Sequence, residues 1–598
     1  MQYARHGLAS FIALYVLLCC CQSGRTAELD ADRVFDSSRL HEIELTIPED
    51  DWNTLRKQTR MRGGGFGAMF ANTTDKPFTY FRGELSIDGV KISDVAVRKK
   101  GFIGSLDDVR PSLKVTFDKY EDQHPIEGLD RLTLNNNKQD TALVSQFLSY
   151  KIFSNAGVHA PRVSFAKVTV NGQYLGIYSN VESYDAPFLR NHYGDDSGQL
   201  YEGTIADFYP KAIERLESKT DTLPEDDPQL VRLATILASE EELPIEDLET
   251  LIDVENFLKF WAVESLLGFW DGYTQNQNNY FCYDHPQNQR LYFMPWGADG
   301  CFTADGGPFG RFGGGPPPAS VRAESMLANR LFRTSGIPER YRQTLLQVLD
   351  ATWNEDQLVA EVDRIEALTD GQLHEQQRSD TNTAPWGGRQ LTMDGVRKFI
   401  RERRNTVIRE LRDWPPSIPP QPRKPMYTVD LGFAKGSFLT HWSEQTSAAA
   451  DEQGEVTIEL NLHERDIVLT DPTIASHSMP VPTFPGFGGP RGNTSWTPPA
   501  MIVIKGKQDS NQDQQEVTLT LMVEEQLLAM PPNEPVPASG SIVIGNAAGF
   551  GFRPDGPMVN GTIVLVRSGT NDGDEVRGTF DLQISELHGG MFDQRRRR

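Results

Sequence analysis

The sequence predicts an α+β domain, with a mixed sheet first and helices after it, followed by an all-β, sandwich-like domain. Three observations carry that prediction. Between residues 41 and 181, short runs alternate apolar and polar residues as half-buried strands do. From Leu230 to Asp413, apolar residues recur at three- and four-residue spacing. Beyond a run holding six prolines, Pro415–Pro425, the helical spacing gives way to β-rich segments punctuated by Gly, Pro, Asn and Asp. A length of 598 residues, at roughly 100–200 residues per domain, accommodates two to four such units.

The chain opens with Arg5 and His6 ahead of the apolar stretch Leu8–Leu18, followed by small and polar residues. This is the pattern of an export signal over residues 1–27, and the stretch is too short for the roughly 20 residues of a spanning helix. Cys19, Cys20 and Cys21 stand where a lipoprotein carries its lipidated cysteine, while plain cleavage near Ala27 remains the simpler outcome. The mature protein is therefore expected to be secreted or attached to the cell envelope, touching a membrane only through such an anchor. Only Cys282 and Cys301 remain after cleavage, and an oxidising compartment would permit one bridge between them. No His-Glu-x-x-His or other zinc spacing is present.

Residues 36–414 form the first domain in this reading. Strand-like runs at His41–Ile47, Tyr80–Ile87, Val95–Lys99, Leu113–Phe117 and Leu132–Leu134 precede a helix over Ala142–Ala156 that Gly157 stops. Val163–Val170 and Tyr174–Val181 flank Asn171-Gly172, the residue pair a type I′ hairpin turn favours. Helices follow at Leu230–Ala238, Ile245–Thr250 and Val254–Phe269, then a second hairpin at Asn278–Tyr283 and Arg290–Met294. Three more helices are expected near Ser325–Leu331, Gln357–Leu373 and Met393–Asp413. Residues 415–426 read as an extended Pro-rich linker, and 427–598 as the β domain, with strands at Val456–Leu462, Ala500–Lys505, Glu516–Val523, Gly540–Ile544 and Gly561–Val566.

A net charge of −24 opposes a phosphate-backbone partner, so no nucleic-acid role is expected; the terminal Arg595–Arg598 is read as a frayed tail. The densest chemistry lies in Phe269-Trp270-Asp271-Gly272-Tyr273-Thr274-Gln275-Asn276-Gln277-Asn278-Asn279-Tyr280 and, beyond the second hairpin, Pro295-Trp296-Gly297-Ala298-Asp299-Gly300. Phosphoryl transfer from ATP asks for such a set: one Asp to accept a hydroxyl proton, and an Asn with a second Asp to hold magnesium against the phosphates. Asp271 and Asn276 have the Asp-x-x-x-x-Asn spacing of a kinase catalytic loop. Asp and Asn are equally ordinary turn and cap residues, so the spacing alone leaves both readings open. Gly63-Gly64-Gly65-Phe66-Gly67 lacks the Gly-Lys-Ser/Thr of a P-loop and reads as a flexible loop; Gly306–Pro318 reads as a mobile insertion or a lid.

Several segments in order resemble the CotH kinase family, secreted atypical kinases named after a spore-coat protein. They are Val97-Arg98-Lys99-Lys100-Gly101, Ser112–Phe117, Leu132–Asn136, Ala160-Pro161-Arg162, Val170–Tyr178, Val181-Glu182 and the Asp271 and Asp299 segments. The resemblance covers roughly residues 36–415 and implies an atypical protein-kinase-like domain using ATP with Mg2+ or Mn2+. It implies Asp271 as general base and Asp299 as principal metal ligand, with Asn276 or Asn279 completing the metal site. Lys114 would reach the nucleotide phosphates, Glu182 would orient it, and Arg98 would be a further phosphate contact. The implied activity is transfer of the γ-phosphoryl group to Ser or Thr hydroxyls of an exported protein. The alternative is a pseudokinase-like envelope or surface-matrix binding protein. One departure favours the alternative: relatives often read Trp-Asp-x-Asp where this chain has Trp296-Gly297-Ala298-Asp299.

Overall fold

Seven strands alternate so regularly that one face of each is apolar, and the sheet they make closes on itself. They are β1 (Leu40–Thr46), β2 (Phe81–Ile87), β3 (Val90–Lys100), β4 (Ser112–Thr116), β5 (Arg131–Asn135), β6 (Val163–Val170) and β7 (Gln173–Val181). The computed structural model that shows this describes residues 29–58, 78–102, 105–239, 241–304, 317–379, 391–444, 454–479, 499–509, 514–525, 528, 535–545 and 556–590. The expected export segment, Gly63–Gly67, most of Gly306–Pro318 and the terminal arginines lie outside those residues.

The strand order is β1-β2-β3-β4-β5-β7-β6, and a parallel β1–β6 pairing from Leu40↔Phe165 to Leu45↔Val170 closes the barrel. The expected mixed sheet is present, as a closed one. Ile43, Leu45, Leu85, Val95, Val97, Leu113, Val115, Leu132 and Leu134 fill its interior. Asn171 and Gly172 take φ values of 51° and 78°, the left-handed conformations that a type I′ turn requires. Asn171 also clamps the barrel seam: its Oδ1 accepts from Ile47 N at 2.9 Å and its Nδ2 donates to Ile47 O at 2.8 Å.

A second sheet, β11-β10-β8-β9, is built from β8 (Gln199–Gly203), β9 (Leu216–Ser218), β10 (Tyr280–His285) and β11 (Arg290–Pro295), the last two being the expected hairpin. The helix Val254–Leu267 runs through the core of the helical region with apolar residues buried nearly all round. Gly268, left-handed at φ 64°, stops it and turns the chain into Phe269-Trp270-Asp271. Helices at Ser145–Asn155, Pro228–Ala238, Ile245–Leu251, Met326–Phe332, Glu355–Thr369 and Met393–Glu410 fall where the spacing places them. A 16-residue helix, Ile337–Thr352, was not legible: Pro338 reads as a breaker, yet it stands in the first turn, where no intrahelical N–H is lost. No helix among the described residues is long and apolar enough to cross a membrane.

Two features of the C-terminal third sharpen the sequence reading. Pro415–Pro425 has no regular structure, as its prolines dictate, but it is no free spacer. Trp414 stacks on Tyr341, Pro419 O accepts from Asn329 Nδ2 at 3.0 Å, and Arg423 N donates to Glu324 O at 2.7 Å. The β domain is all-β as expected, and its strands are hydrogen-bonded into one continuous sheet. Its strands are β12 (Tyr427–Ser443), β13 (Glu455–Leu462), β14 (Arg465–Asp466), β15 (Leu469–Ser478), β16 (Ala500–Asp509), β17 (Gln514–Val523), β18 (Pro535–Ile544), β19 (Met558–Arg567) and β20 (Glu575–His588). Strand β12 pairs with β20 from Tyr427↔His588 to His441↔Glu575, and with β15 at Trp442↔Ser476, so the ring closes and β12 and β20 have no open edge between them. Bending β12 takes a bulge at Gly432, whose φ of 140° excludes a side chain, and glycine again at Gly436, where a Cβ would stand 2.1 Å from Thr457 O. Those glycines also hid β12 from sequence reading.

Cys282 and Cys301 are both buried free thiols, which corrects the permitted bridge. Burial raises the pKa of each well above the ordinary thiol value, suppressing the reactive thiolate. Purified, unreduced protein spanning residues 28–598 should therefore show no reactive thiol when native and two after denaturation in a colorimetric thiol titration. One or none after denaturation would contradict this packing.

Candidate active site

The site is assembled where the end of the helix Val254–Leu267, the β10–β11 hairpin and the outer face of the first barrel meet. Glu264, the one acid in an otherwise apolar stretch of that helix, is fully buried and turns back to cap the next segment. Its Oε1 accepts from Tyr273 N at 2.9 Å, and its Oε2 accepts from Thr274 N at 2.8 Å and Thr274 Oγ1 at 2.5 Å. Glycine is required at 272, because a Cβ there would stand 2.4 Å from Glu264 Oε1. Asp207 anchors the other side of the loop, accepting from Tyr273 Oη, Gln277 Nε2 and Met326 N, each at 2.8 Å.

Between these anchors Asp271 is ringed by amides. Asn276 Nδ2 and Asn278 Nδ2 donate to its Oδ1 at 2.5 and 3.1 Å, and Asn279 Nδ2 donates to its Oδ2 at 3.0 Å and to its backbone O at 3.0 Å. The amide orientations are dictated by groups that can only donate: Arg423 Nη1 gives to Asn276 Oδ1 at 3.0 Å, and Ile205 N gives to Asn278 Oδ1 at 3.1 Å. With Oδ1 doubly engaged, Oδ2 keeps the spare capacity to receive a proton. Burial raises the Asp271 pKa to about 6, against the lowering effect of the three asparagines.

Asp299 follows β11 on a single 3-10 turn, Ala298–Gly300. Burial raises its pKa to about 7; the charge of Asp271 adds to the rise, and Lys100 opposes it. Both residues nonetheless retain some accessible surface. A third buried acid, Asp140, accepts from Ser145 N at 2.8 Å and Gln146 N at 3.2 Å. Burial carries it to about 8, with the charge of Asp299 a further raising contribution.

The outer face of β3, β4 and β5 confronts these acids with cations. Arg98 and Lys100 are two apart on β3 and share a face, Lys114 pairs opposite Arg98 on β4, and Arg131 lies on the neighbouring β5. Lys114 makes no hydrogen bond or ion pair among the described residues; burial, then Arg131, Arg98 and Lys219, push its ammonium down to about 7. Lys100 donates to Asn135 Oδ1 at 2.5 Å and is lowered to about 8, chiefly by burial, with Glu202 and Asp299 pulling the other way.

The structure thus brings Asp271, Asp299, Asn276 and Asn279 together, with Arg98 and Lys114 on the facing strands. Glu182 is elsewhere: Arg162 grips its carboxylate through Nε at 3.0 Å and Nη2 at 2.6 Å. The acid whose charge acts on both Lys100 and Lys114 is Glu202 of β8, which also pairs with Lys219 at 2.5 Å. Sequence reasoning passed over Lys100, Glu202, Glu264, Asp140 and Arg423. Strand alternation from Arg98 could have pointed to Lys100, and the solitary acid in an apolar helix to Glu264; the other three have no local signal.

Asn279 also explains Gly297. Glycine 297 is left-handed at φ 50°, and a Cβ there would stand 2.4 Å from Asn279 Oδ1. The space a side chain would enter is held by an amide oxygen. Among the described residues no group of three or more His, Cys, Asp or Glu could hold a metal. Asp299 and Asn279 Oδ1 nevertheless suit, by donor type, a magnesium-type ion, which takes one or two carboxylates and completes its shell with water and phosphate oxygens. Asn276 fits that role less well, because its oxygen is engaged by Arg423.

Because the folded protein raises the Asp299 pKa above its unfolded value, ionising this group costs stability as pH rises from about 4 to 7. Metal-free Asp299→Asn protein should accordingly be more stable than the parent at pH 8 by roughly 1–3 kcal/mol. The gain should fade on acidification toward pH 4. Thermal unfolding across that range tests it, and a pH-independent difference would refute the shift.

A family model described as CotH kinase protein matches residues 97–407, just over half of the chain. Inner spore coat protein H of Bacillus subtilis is 24% identical over 193 residues, covering 30% of this chain and 51% of that protein. Spore coat protein homolog 1 of Rhizopus delemar is 24% identical over 181 residues, covering 28% and 30% of the two chains. Invasin CotH2 of the same fungus is 26% identical over 187 residues, covering 28% and 31%. The chain thus spans about half or less of the length of these relatives. Among solved structures, the Helicobacter pylori proinflammatory kinase CtkA overlaps with a TM-score of 0.25 at 10% identity, over 50% of this chain and 91% of that one, an overlap too slight to carry an argument. With Arg98, Lys114, Asp271 and Asp299 all inside the matched segment, the chain belongs to the CotH kinase protein family.

Proposed function

We propose that this protein is a CotH-type kinase that transfers the γ-phosphoryl group of ATP to a Ser or Thr hydroxyl on an exported protein. The observation that carries the reading is that Asp299, itself beside Asp271, feels Lys100, which stands on the β3–β5 face that also bears Arg98, Lys114 and Arg131. Arg131 is paired with Asp185, but Lys114 has no ion-pair partner among the described residues, and an unpaired, largely desolvated cation is costly to a fold unless an anion such as a phosphate meets it. Arg98 suits phosphate oxygens through its forked donors, while Lys100 and Lys114 act as point charges.

Asp271 Oδ2 takes the proton of the acceptor hydroxyl as that oxygen bonds to the γ-phosphorus and the bond to ADP breaks. Its raised pKa keeps it largely ionised at neutral pH yet basic enough to accept the proton. Asp299 with Asn279 Oδ1 would hold Mg2+ or Mn2+, which neutralises phosphate charge when bound. Glu264 and Asp207 keep the loop rigid, so Asp271 pays no reorganisation during transfer. The spore-coat and invasin names of relatives support an exterior or surface location, in keeping with the export signal. The competing reading, nucleotide or partner binding without transfer, draws on Gly297. Asn279 weakens it by supplying an oxygen at that place.

Radiolabel transfer from γ-labelled ATP, with Mg or Mn and a basic protein acceptor, tests the proposal on residues 28–598. Asp271→Ala should lower transfer about 10²–10⁴-fold while leaving the melting temperature near that of the parent. Undiminished turnover would remove Asp271 from the chemistry. Lys114→Met should do two opposite things: raise the melting temperature of the nucleotide-free protein, because a charge the fold disfavours is gone, and raise KM for ATP at least about tenfold. Thermal shift with and without Mg-ATP reads both, and an unaltered ATP response would remove Lys114 from the phosphate site.

A further inference from the structure

Arg423 comes from the Pro-rich stretch, outside the segment matched by the family model, yet it lies against the loop that carries Asp271. Four contacts fix it there. Its Nη1 donates to Asn276 Oδ1 at 3.0 Å, its Nη2 donates to Gln275 O, its backbone O accepts from Gln277 Nε2 at 2.8 Å, and its N–H donates to Glu324 O at 2.7 Å. Three consecutive loop residues, Gln275, Asn276 and Gln277, are therefore held by one residue about 150 positions later in the chain.

The chemistry of the contact is directional. A guanidinium has only donors, so the Asn276 atom facing it must be the oxygen, and the Asn276 nitrogen must then face Asp271. Without Arg423 the amide could turn over and present its oxygen to the Asp271 carboxylate, which would repel it. The positive charge of Arg423 also acts on Asp271 directly. Four residues on, Tyr427 opens β12 of the second barrel, and Thr428 Oγ1 donates to Glu214 at 3.3 Å.

We infer that Arg423 is a positioning residue for phosphoryl transfer, locking the Asn276 amide so that it donates to Asp271, and that the stretch carrying it is thereby part of the active site. This rests on the kinase reading above. The stretch behaves as a strap that ties the loop to the β domain, and the family-matched segment alone contains the loop but not every contact that holds it.

The test uses the full chain with Arg423→Met, Arg423→Lys, Asn276→Ala and the Arg423→Met/Asn276→Ala pair, each checked for a parent-like circular dichroism spectrum. Arg423→Met should lower kcat about 10–100-fold with KM for ATP within about twofold, since the loop and not the phosphate face is disturbed. Arg423→Lys, which keeps one donor and the charge, should recover part of the loss. The double variant should be no worse than the poorer single, because both act through one amide. A kcat for Arg423→Met within twofold of the parent, or single losses that multiply in the double variant, would overturn the inference. If the parent itself transfers no label, the kinase reading fails, and hydrogen exchange decides the strap separately. Peptides covering 272–279 should exchange at least about tenfold faster in Arg423→Met with β12–β20 unchanged, and unchanged exchange there would overturn it.

Discussion

Asp271 and Asp299 sit close enough for each to feel the other's charge in a place that water only partly reaches, and most of the surrounding architecture manages that conflict. Burial raises both acids and their mutual repulsion raises Asp299 further, while three asparagine amides draw Asp271 part of the way back. The amides are themselves held: Asn276 by Arg423, Asn278 by Ile205 N, and Asn279 by the backbone of Asp271. Behind them Glu264 and Asp207 tie down the loop through backbone and side-chain donors. Glu264, Asp207 and Asn278 are buried, so losing one would leave a polar group unpaired, which typically costs about 1–3 kcal/mol.

The same economy governs the barrel. Its interior is filled by aliphatic residues, so the alternating positions of β3, β4 and β5 are free to carry charge on the outer face. Near Lys114 the fold sets Arg98, Arg131 and Lys219 with only Glu202 opposing them, and burial with these cations depresses its ammonium pKa. Such an arrangement lowers stability, in contrast to a structural ion-pair network. Gly297 belongs to the same set of compromises, since Asn279 occupies the space next to it.

The second barrel is connected to this site more closely than a tether would connect it. Trp414 stacked on Tyr341, Pro419 accepting from Asn329 and Arg423 on the Asp271 loop make the Pro-rich stretch part of the helical region's surface. Proline suits such a strap, because its restricted φ lowers the entropy lost when the segment docks. The ring closed by β12 and β20 begins only four residues beyond Arg423.

Local patterns were enough for much of this protein. Residue periodicity marked both hairpins and most helices, Asn171-Gly172 named its own turn, and the crowding of Asp271, the asparagines and Asp299 was visible because those residues are near one another in the chain. Where a proline or glycine stood inside an element, as at Pro338 or Gly432, the local signal misled, since its effect depends on a position in the helix or a bend in the sheet that only packing sets. Partnerships across long separations were beyond the sequence altogether. Glu182 joined Arg162 and not Lys114, Glu202 took the place beside the lysines, the all-β half closed into one ring, and Arg423 reached back to Asn276. A sequence determines what each residue can donate, accept or bury; which partner it meets depends on strand register and chain path, and those are fixed only when the whole core packs.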